Sequence, residues 1–485
     1  MEMERPQLER TLTLRGAVTL NLLDMIGVGP FITLPLLLAA MGGPQAMLGW
    51  VLGAGLALCD GLVWAELGAA MPEAGGTYHY LRKIYPGRIG RLLSFLFLFQ
   101  LCFSAPLSVA SGCIGLSQYA TYLLPWLTGH TTTHALHFGA YSAALSVGPT
   151  TAVAIAAVLL AVVLLYRNLS KMRGLSAFLL ASVLLTIGWA VVTALLHGHI
   201  GQAFAFAPGA FHLDHAFFTG LGSAMLIATY DYWGYYNVTF LGGEARDPGR
   251  TIPRAVLISI GIVAALYLAL NVSILSVLPS PTLLALQNVE ARRALLSQFM
   301  QTAYAPSLGA HTGVLMGKLA AVLVMVTAFA SVFSLLLGYS RIPFAAAREG
   351  GFFAVFGKLH PTRKFPYVSL LALAGVACIA CFFSLGDVVA ALVVIRILLQ
   401  FLSQHVGVMV LRKTQPDLPR PFRMGLYPLP PILALIGFSY IVVFRPNFHR
   451  EVALAGCVLI AGVLAYAVWS WYERPRHPER REERT

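Results

Sequence analysis

The chain is predicted to be an all-α integral membrane protein of twelve transmembrane helices. Ten of them form a five-plus-five inverted-repeat core in which helices 1 and 6 are broken. Composition is the first observation behind this prediction. Of 485 residues, 58% are hydrophobic, only 11% are charged and mean hydropathy is +0.75, whereas charged residues make up about 25% of an ordinary soluble chain. The second is that apolar stretches recur at bilayer length, roughly 20 helical residues. The third is that the first and sixth stretches carry helix-breaking or polar residues at mid-depth, where lipid would demand an unbroken helix.

The twelve stretches lie near 16–40, 45–70, 91–124, 148–166, 174–196, 216–242, 254–278, 312–340, 367–385, 387–411, 430–445 and 452–472. The net charge of +13 and a pI near 9.6 could indicate a nucleic-acid partner, but the positions of the basic residues exclude it. With the N-terminus in the cytoplasm, only Arg292, Arg293, Arg445 and Arg450 of the 33 Lys and Arg residues fall on the opposite face, and only Lys318 and Arg396 fall within spans. That bias is the positive-inside rule, so both termini are expected in the cytoplasm of a cell membrane protein. Residues 1–15 carry charges of both signs and lead straight into the first apolar run, which is expected to act as an internal insertion signal rather than a cleaved leader. The six cysteines all sit in apolar runs. Cys378 and Cys381 form a CxxC, read as small buried side chains rather than a redox or zinc site.

The first span, 16–40, contains Gly27, Val28, Gly29 and Pro30 in sequence. Each glycine costs about 1 kcal/mol and a proline about 3 in a helix interior. A break is expected there, with Pro30 opening a new half-helix, where its missing N–H is harmless. The second span carries Gly49 and Gly53 at GxxxG spacing, which predicts close helix packing. The third is followed by a loop with His130, His134 and His137, read as an ordinary exterior loop without the carboxylate or cysteine that would complete a metal site. The sixth span breaks at Tyr230 to Asn237, an acid, an amide and a crowd of aromatic hydroxyls at lipid depth. Residues 280–311 form the longest exterior connection, and a short helix over the outer mouth is expected within it. Breaks in helices 1 and 6 are separated by five helices, the pattern of two inverted repeats meeting at a midplane site. The reading divides the chain into a cytoplasmic tail 1–15, repeats 16–196 and 216–411 of a core 16–411, accessory helices 11 and 12 in 430–472, and a basic cytoplasmic tail 473–485.

Broken helices make a site through their bare main chain. N-terminal ends present unpaired N–H groups and a positive dipole end, so Val28, Gly29, Phe31 and the region of Tyr236 and Asn237 are expected to hold a carboxylate. C-terminal ends present carbonyls, and those of Asp24 to Ile26 and of Thr229 to Tyr232 are expected to hold an ammonium group. The expected binding residues are therefore Asp24, Ile26, Gly27, Val28, Gly29 and Phe31 with Tyr230, Asp231, Tyr232, Trp233, Gly234, Tyr235, Tyr236 and Asn237. Two or three of the aromatic rings are expected to line the pocket, the rest to pack, and Trp233 to close over the ligand. Ionisable residues at membrane depth are functional candidates by default. Asp24, Asp60, Asp231, Lys318, Arg396 and His405 qualify. Two readings stand for Asp24: contact with a cationic ligand or carriage of a coupled proton, or a structural partner for Arg396 or Lys318. Ser331 and Ser334 are coupling candidates, or small residues packing against helix 1.

Four stretches carry a resemblance over essentially the whole chain. They are IGVGPF (residues 26–31), AELGAAMPEAGGTYHYLRK (65–83), GGEARDPGRTIPRA (242–255) and YSRIPFAAAREGGFF (339–353). Together they resemble the amino acid, polyamine and organocation superfamily of secondary transporters, and look closest to the branch of polyamine and L-type amino acid carriers. The resemblance implies a ten-helix inverted-repeat core, broken helices 1 and 6, alternating access, and sodium binding near Ser331 and Ser334 as in some relatives. Departures are also visible: Pro30 stands where many members have Ile, no lysine lies in 174–196, and Tyr236 followed by Asn237 replaces the usual acid or amide.

The expected function is secondary active transport of neutral or cationic L-amino acids, by proton symport or exchange. A polyamine carrier and a membrane amino acid sensor without net flux are the alternatives. No HExxH, GxSxG or phosphate loop occurs, so an enzyme is not expected. Nor is a cofactor, a metal, a nucleic acid or an obligatory protein partner.

Overall fold

A computed structural model of the chain describes residues 8, 10–138, 141–166, 172–285, 294–383, 393–394, 396–444 and 448–473. Helices dominate. Helix α1 (Leu14–Met25) and helix α2 (Leu34–Met41) are the two halves of the first span, and α3 (Met47–Ala70) is the second. A short α4 (Thr77–Ile84) leads to α5 (Gly87–Leu123), α6 (Trp126–Gly129), and then strands β1 (Thr132–Phe138) and β2 (Tyr141–Val147). Next come α7 (Pro149–Leu165), α8 (Arg173–His197), the broken pair α9 (His215–Tyr232) and α10 (Asn237–Phe240), and α11 (Pro248–Val277). Helices α12 (Ser280–Ala285), α13 (Leu295–Leu308), α14 (Ala310–Tyr339) and α15 (Arg341–Arg348) follow. The chain then forms α16 (Tyr367–Ala380), α17 (Leu402–Thr414), α18 (Leu429–Val443) and α19 (Phe448–Glu473).

Among the described residues, six helical segments are long and apolar enough to cross a membrane, from Pro44–Ala70 to Glu451–Trp471, and three shorter apolar helices accompany them. The breaks divide the first span into helices of 12 and 8 residues and the sixth into helices of 18 and 4. The tenth expected span lies partly outside the described residues, as do the expected tail beyond residue 473 and Arg292, Arg293 and Arg445.

Several expectations are corrected. The loop after the third span is an antiparallel hairpin, with Thr132 opposite Val147 and Phe138 opposite Tyr141. Alternation within ALHF and YSAALSV is weak, so the strands left little mark in the sequence. The half-helix of the first span begins at Leu34, with Pro35 in its first turn, while Pro30 sits in a single 3-10 turn, Gly29–Phe31. Helix α13 does not merely cover a mouth: Leu295, Leu296, Phe299 and Met300 are fully buried against the bundle. Lys318 is exposed on the outer side of α14, where a long stem can reach an interface, so it is no partner for Asp24.

Close packing follows the small residues. A Cβ at Gly49 would come within 2.8 Å of Ala224 on α9, so the GxxxG face of α3 admits the broken helix to near contact. At one end of the bundle, charged pairs tie the loops together. Glu244 and Arg341, both buried, meet at 2.8 Å, and Glu66 holds Arg412 at 2.7 and 2.5 Å. His79 on α4 has Glu349 on Nδ1 at 2.8 Å and Glu73 on Nε2. Both ring nitrogens therefore face carboxylates, which calls for the doubly protonated ring. Burial works to lower the His79 pKa, but the hydrogen bonds to Glu349 and Glu73 outweigh it and raise it above the ordinary 6.5. The His79 hydrogen bond is the largest influence on Glu73, whose carboxyl is held down to about 2. Lys83, 3.1 Å from Glu73, and Arg82, 3.5 Å from Glu349, supply further positive charge, so this cluster is a latch between loops rather than a cation site.

Two outcomes follow. Glu244→Gln leaves Arg341 buried and unpaired, a loss of about 3–5 kcal/mol; thermal unfolding in detergent should show a large drop, and the apolar double variant Glu244→Leu with Arg341→Met a smaller one. For His79, a raised folded-state pKa means that its stabilisation is complete below pH 6.5 and is lost as pH rises through the higher folded value. The melting-temperature gap between wild type and His79→Gln should therefore be widest in mild acid and close as the solution becomes alkaline.

Candidate functional site

Helix α1 stops at Met25 because Gly27, Gly29 and Pro30 follow, and the chain turns through Gly29–Phe31 before α2 begins. Within that turn the Phe31 N–H donates to Val28 O at 3.0 Å, and the Ile32 and Thr33 N–H groups both donate to Gly29 O at 2.9 Å. Among the described residues the N–H groups of Val28 and Gly29 find no acceptor. Phe31, expected as a donor, has its N–H committed and its ring fully buried.

The second break runs from Trp233 to Tyr236. Gly234 adopts φ +124, a conformation that side chains resist. A Cβ there would also meet Met25 N at 2.8 Å and Asp24 C at 2.9 Å, so the two breaks cross with glycine as the contact. Much of the bare main chain is already satisfied. Asn21 on α1 accepts from Val238 N–H at 3.0 Å and donates to Tyr235 O at 2.6 Å, thereby capping α10. The expected carboxylate site at Tyr236 and Asn237 is thus partly filled by an asparagine from α1. Likewise the Tyr267 hydroxyl of α11 reaches Met25 O at 2.5 Å and Asp231 O at 3.2 Å, taking carbonyls that were expected for an ammonium group.

A cavity of about 370 Å³ opens at the crossing, within the range of roughly 300–1,000 Å³ usual for small-molecule sites. Of the expected residues, Asp24, Gly27, Val28, Gly29, Tyr230, Asp231, Trp233, Gly234 and Tyr236 line it. Ile26, Phe31, Tyr232, Tyr235 and Asn237 do not. Tyr232 packs edge-on to Trp50, with ring centres 5.5 Å apart, and Tyr235 turns to Asp60. Asn237 donates to Ser334 Oγ at 2.9 Å. The split follows from direction: side chains adjacent in a helix or a tight turn leave the backbone toward different sides.

Ser331 lines the cavity, and its hydroxyl donates to Asp24 O at 3.1 Å. Ser334 lies deeper and donates to Leu20 O at 2.8 Å. Both pin α14 to α1, the packing alternative. Asp231 accepts from Thr33 Oγ1 at 2.6 Å and stands so near Gly29 that a Cβ at residue 29 would lie 2.0 Å from its Oδ1. Arg396, which precedes a π-helical turn at Ile397–Phe401, also lines the cavity. Its guanidinium lies 5.5 Å from the Trp233 ring centre and 5.1 Å from that of Tyr339, and donates to Ser108 Oγ at 2.8 Å. It acts on Asp24 through space, without a direct ion pair among the described residues. Trp233 stacks on Phe401 at 5.0 Å and floors the cavity. Asp24 Oδ2, Asp231 Oδ1 and Trp233 Nε1 border it with no partner among the described residues.

Sequence reasoning missed Asn21, Thr33, Ser108 and Tyr267. Asn21, Ser108 and Tyr267 are polar residues within largely apolar helices and Thr33 directly precedes α2, and only the buried polarity itself marked them.

The model of the family described as "Amino acid permease" matches residues 12–466. Among curated proteins, the chain is 26% identical to a serine/threonine exchanger (SteT) of Bacillus subtilis over 91% of this chain and 92% of that protein. It is 25% identical to the Asc-type amino acid transporter 1 of Mus musculus over 98% of this chain and 84% of that protein. To a branched-chain amino acid permease (BcaP) of Bacillus subtilis it is 25% identical over 94% of this chain and 92% of that protein. With the family pattern covering nearly the whole bundle, including both breaks, the chain belongs to the amino acid permease family and is a multi-pass membrane protein.

Proposed function

We propose that this protein is a secondary active transporter of neutral or cationic L-amino acids that works by alternating access, with proton symport or exchange as its energy source. One observation carries the site assignment: two helices break against each other at a cavity that holds unpaired Val28 and Gly29 N–H groups and the Asp24 carboxyl. The substrate carboxylate takes the N–H groups, and its ammonium group takes Asp24. Such charge-assisted bonds are about twice as strong as neutral ones, which offsets dehydration of both ends. Apolar side chains such as Ile227, Leu335 and Val393 then surround the substrate side chain. Trp233, held by Phe401 below and Arg396 beside it, is the surface that swings to close the site.

The twelve-span count, the repeats 16–196 and 216–411 and the cytoplasmic placing of both termini belong to the same proposal. It is supported by the basic loops and by the matched breaks in the first and sixth spans. Relatives named as a serine/threonine exchanger and as a branched-chain amino acid permease support a neutral amino acid as the substrate. The second acid in the cavity, Asp231, favours an amine-rich ligand instead, and makes a polyamine the competing reading.

Purified protein in liposomes should take up one or more of a panel of radiolabelled L-amino acids, and excess putrescine should leave that uptake intact; uptake of labelled putrescine with no amino acid uptake would establish the polyamine reading. Gly29→Ala, which forces the Asp231 carboxyl from its place, should lower uptake by about tenfold or more at unchanged expression. Trp233→Ala should abolish uptake while leaving membrane insertion intact, and undiminished transport would refute the closing role.

A further inference from the structure

Outside the cavity, two ionisable side chains meet in the driest part of the bundle. Asp60 on α3 and His405 on α17 are both fully buried, and His405 Nε2 lies 3.0 Å from Asp60 Oδ1. His405 Nδ1 is 2.6 Å from the carbonyl of Phe401, which can only accept, so Nδ1 bears a hydrogen. A neutral ring would then turn the bare Nε2 toward a carboxylate oxygen, acceptor against acceptor with no water between. Neither Nε2 nor Oδ1 has another hydrogen-bond partner among the described residues, so one additional proton belongs between them. The other carboxylate oxygen, Oδ2, accepts from Trp64 Nε1 at 3.1 Å and from the Tyr235 hydroxyl. Accepting on both oxygens favours the ionised acid beside an imidazolium.

Tyr235 makes this pair more than a buried salt bridge. It sits in the second break, one residue after the Gly234 crossing, and its carbonyl is held by Asn21 of α1. The protonated pair is therefore bonded to the segment whose rearrangement the transport cycle requires.

We propose that Asp60 and His405 form the site of the coupled proton, and that Tyr235 links its occupancy to the broken helices. The proposal rests on the transporter reading and deepens it by naming the coupled ion and its place. The Tyr235 hydroxyl stabilises the Asp60 carboxylate, so withdrawing it as the crossing rearranges favours uptake of the proton by the pair and restoring it favours release. Opening of the pair to water lets the Nε2–H bond of the imidazolium break, its electron pair staying on nitrogen and the proton passing to water. Neutral His405 and ionised Asp60 remain until a proton returns from the other side. Among the described residues the surroundings supply no competing charge at this depth. From α3 come Cys59 and Trp64, with Glu66 a turn further on and already paired to Arg412; from the break come Tyr235 and Tyr236; beyond α4, Tyr85 donates to Ser403 O. Helix α18 contributes the Phe438 ring, and α11 presents Val256 and Ile260 beside Gly61 and the hydroxyl of Ser259. Arg396 precedes the turn that ends at Phe401 and faces the cavity instead.

The full chain in liposomes loaded with a pH-sensitive dye tests this, using whichever labelled L-amino acid the wild type exchanges best. Two readouts are needed: counterflow, with amino acid on both sides and no gradient, and concentrative uptake driven by an imposed pH gradient. His405→Gln should keep counterflow within about twofold, while gradient-driven accumulation falls by roughly tenfold or more to the equilibrium level and the substrate-dependent dye signal disappears. Asp60→Asn, which also keeps the side-chain shape, should behave alike. Gradient-driven accumulation that survives in either folded variant overturns the proposal. Should neither variant fold, the wild type decides: counterflow with no substrate-driven proton flux overturns it, whereas flux with a protonation midpoint shifted by Tyr235→Phe supports it. Absence of counterflow in the wild type would instead sink the transporter reading.

Discussion

Everything in this bundle depends on how unpaired main chain is tolerated at membrane depth. A helix satisfies its own peptide groups, and a break releases several of them where there is no water to take their place. This protein brings two breaks together, so that each helps to satisfy the other. Gly234 lets the second break ride directly over Asp24 and Met25. Asn21 from α1 then caps α10, while Tyr267 from α11 takes a carbonyl from each broken helix. Ser331 and Ser334 do the same for α1 from the α14 side. After this sharing, the Val28 and Gly29 N–H groups beside the cavity still find no acceptor among the described residues.

The same economy makes the crossing movable. Its bonds run between single side chains and backbone atoms rather than through a continuous ladder, so each can be exchanged as the halves shift. By contrast, the layer of ion pairs at one end of the bundle is tightly knitted. Glu244 with Arg341, Glu66 with Arg412 and His79 with two glutamates join the loops on which three of the four family stretches lie. A buried pair of this kind adds little net stability but is costly to leave half-made. It therefore favours one closed arrangement of these loops over loosely related ones. Closing one end firmly while the centre stays adjustable is what alternating access asks of a bundle.

Much of this was legible in the chain alone. Composition and basic-residue bias announced a multi-pass membrane protein, and Gly27 to Pro30 and Tyr230 to Asn237 marked both breaks, because glycine, proline and clustered polar groups are expensive in a lipid-depth helix. Of the expected binding residues, some line the cavity and others, adjacent to them in sequence, do not. Contiguous residues such as Tyr235, Tyr236 and Asn237 look equivalent in a string, yet they point to Asp60, to the cavity and to Ser334. The hairpin at β1 and β2 went unread because its apolar and polar residues scarcely alternate.

What the sequence by itself determined is where the backbone cannot continue as helix and that the basic residues gather between the apolar spans, since both follow from local cost and from composition. Only the tertiary structure decided which partner each freed or buried polar group would find. Asp24 faces Arg396 across a cavity rather than Lys318, and Asp60 meets His405 some 345 positions along the chain. Pairing of that kind depends on distance in space, and in a chain this apolar, distance in space is set by packing of small residues on helix faces rather than by any local preference.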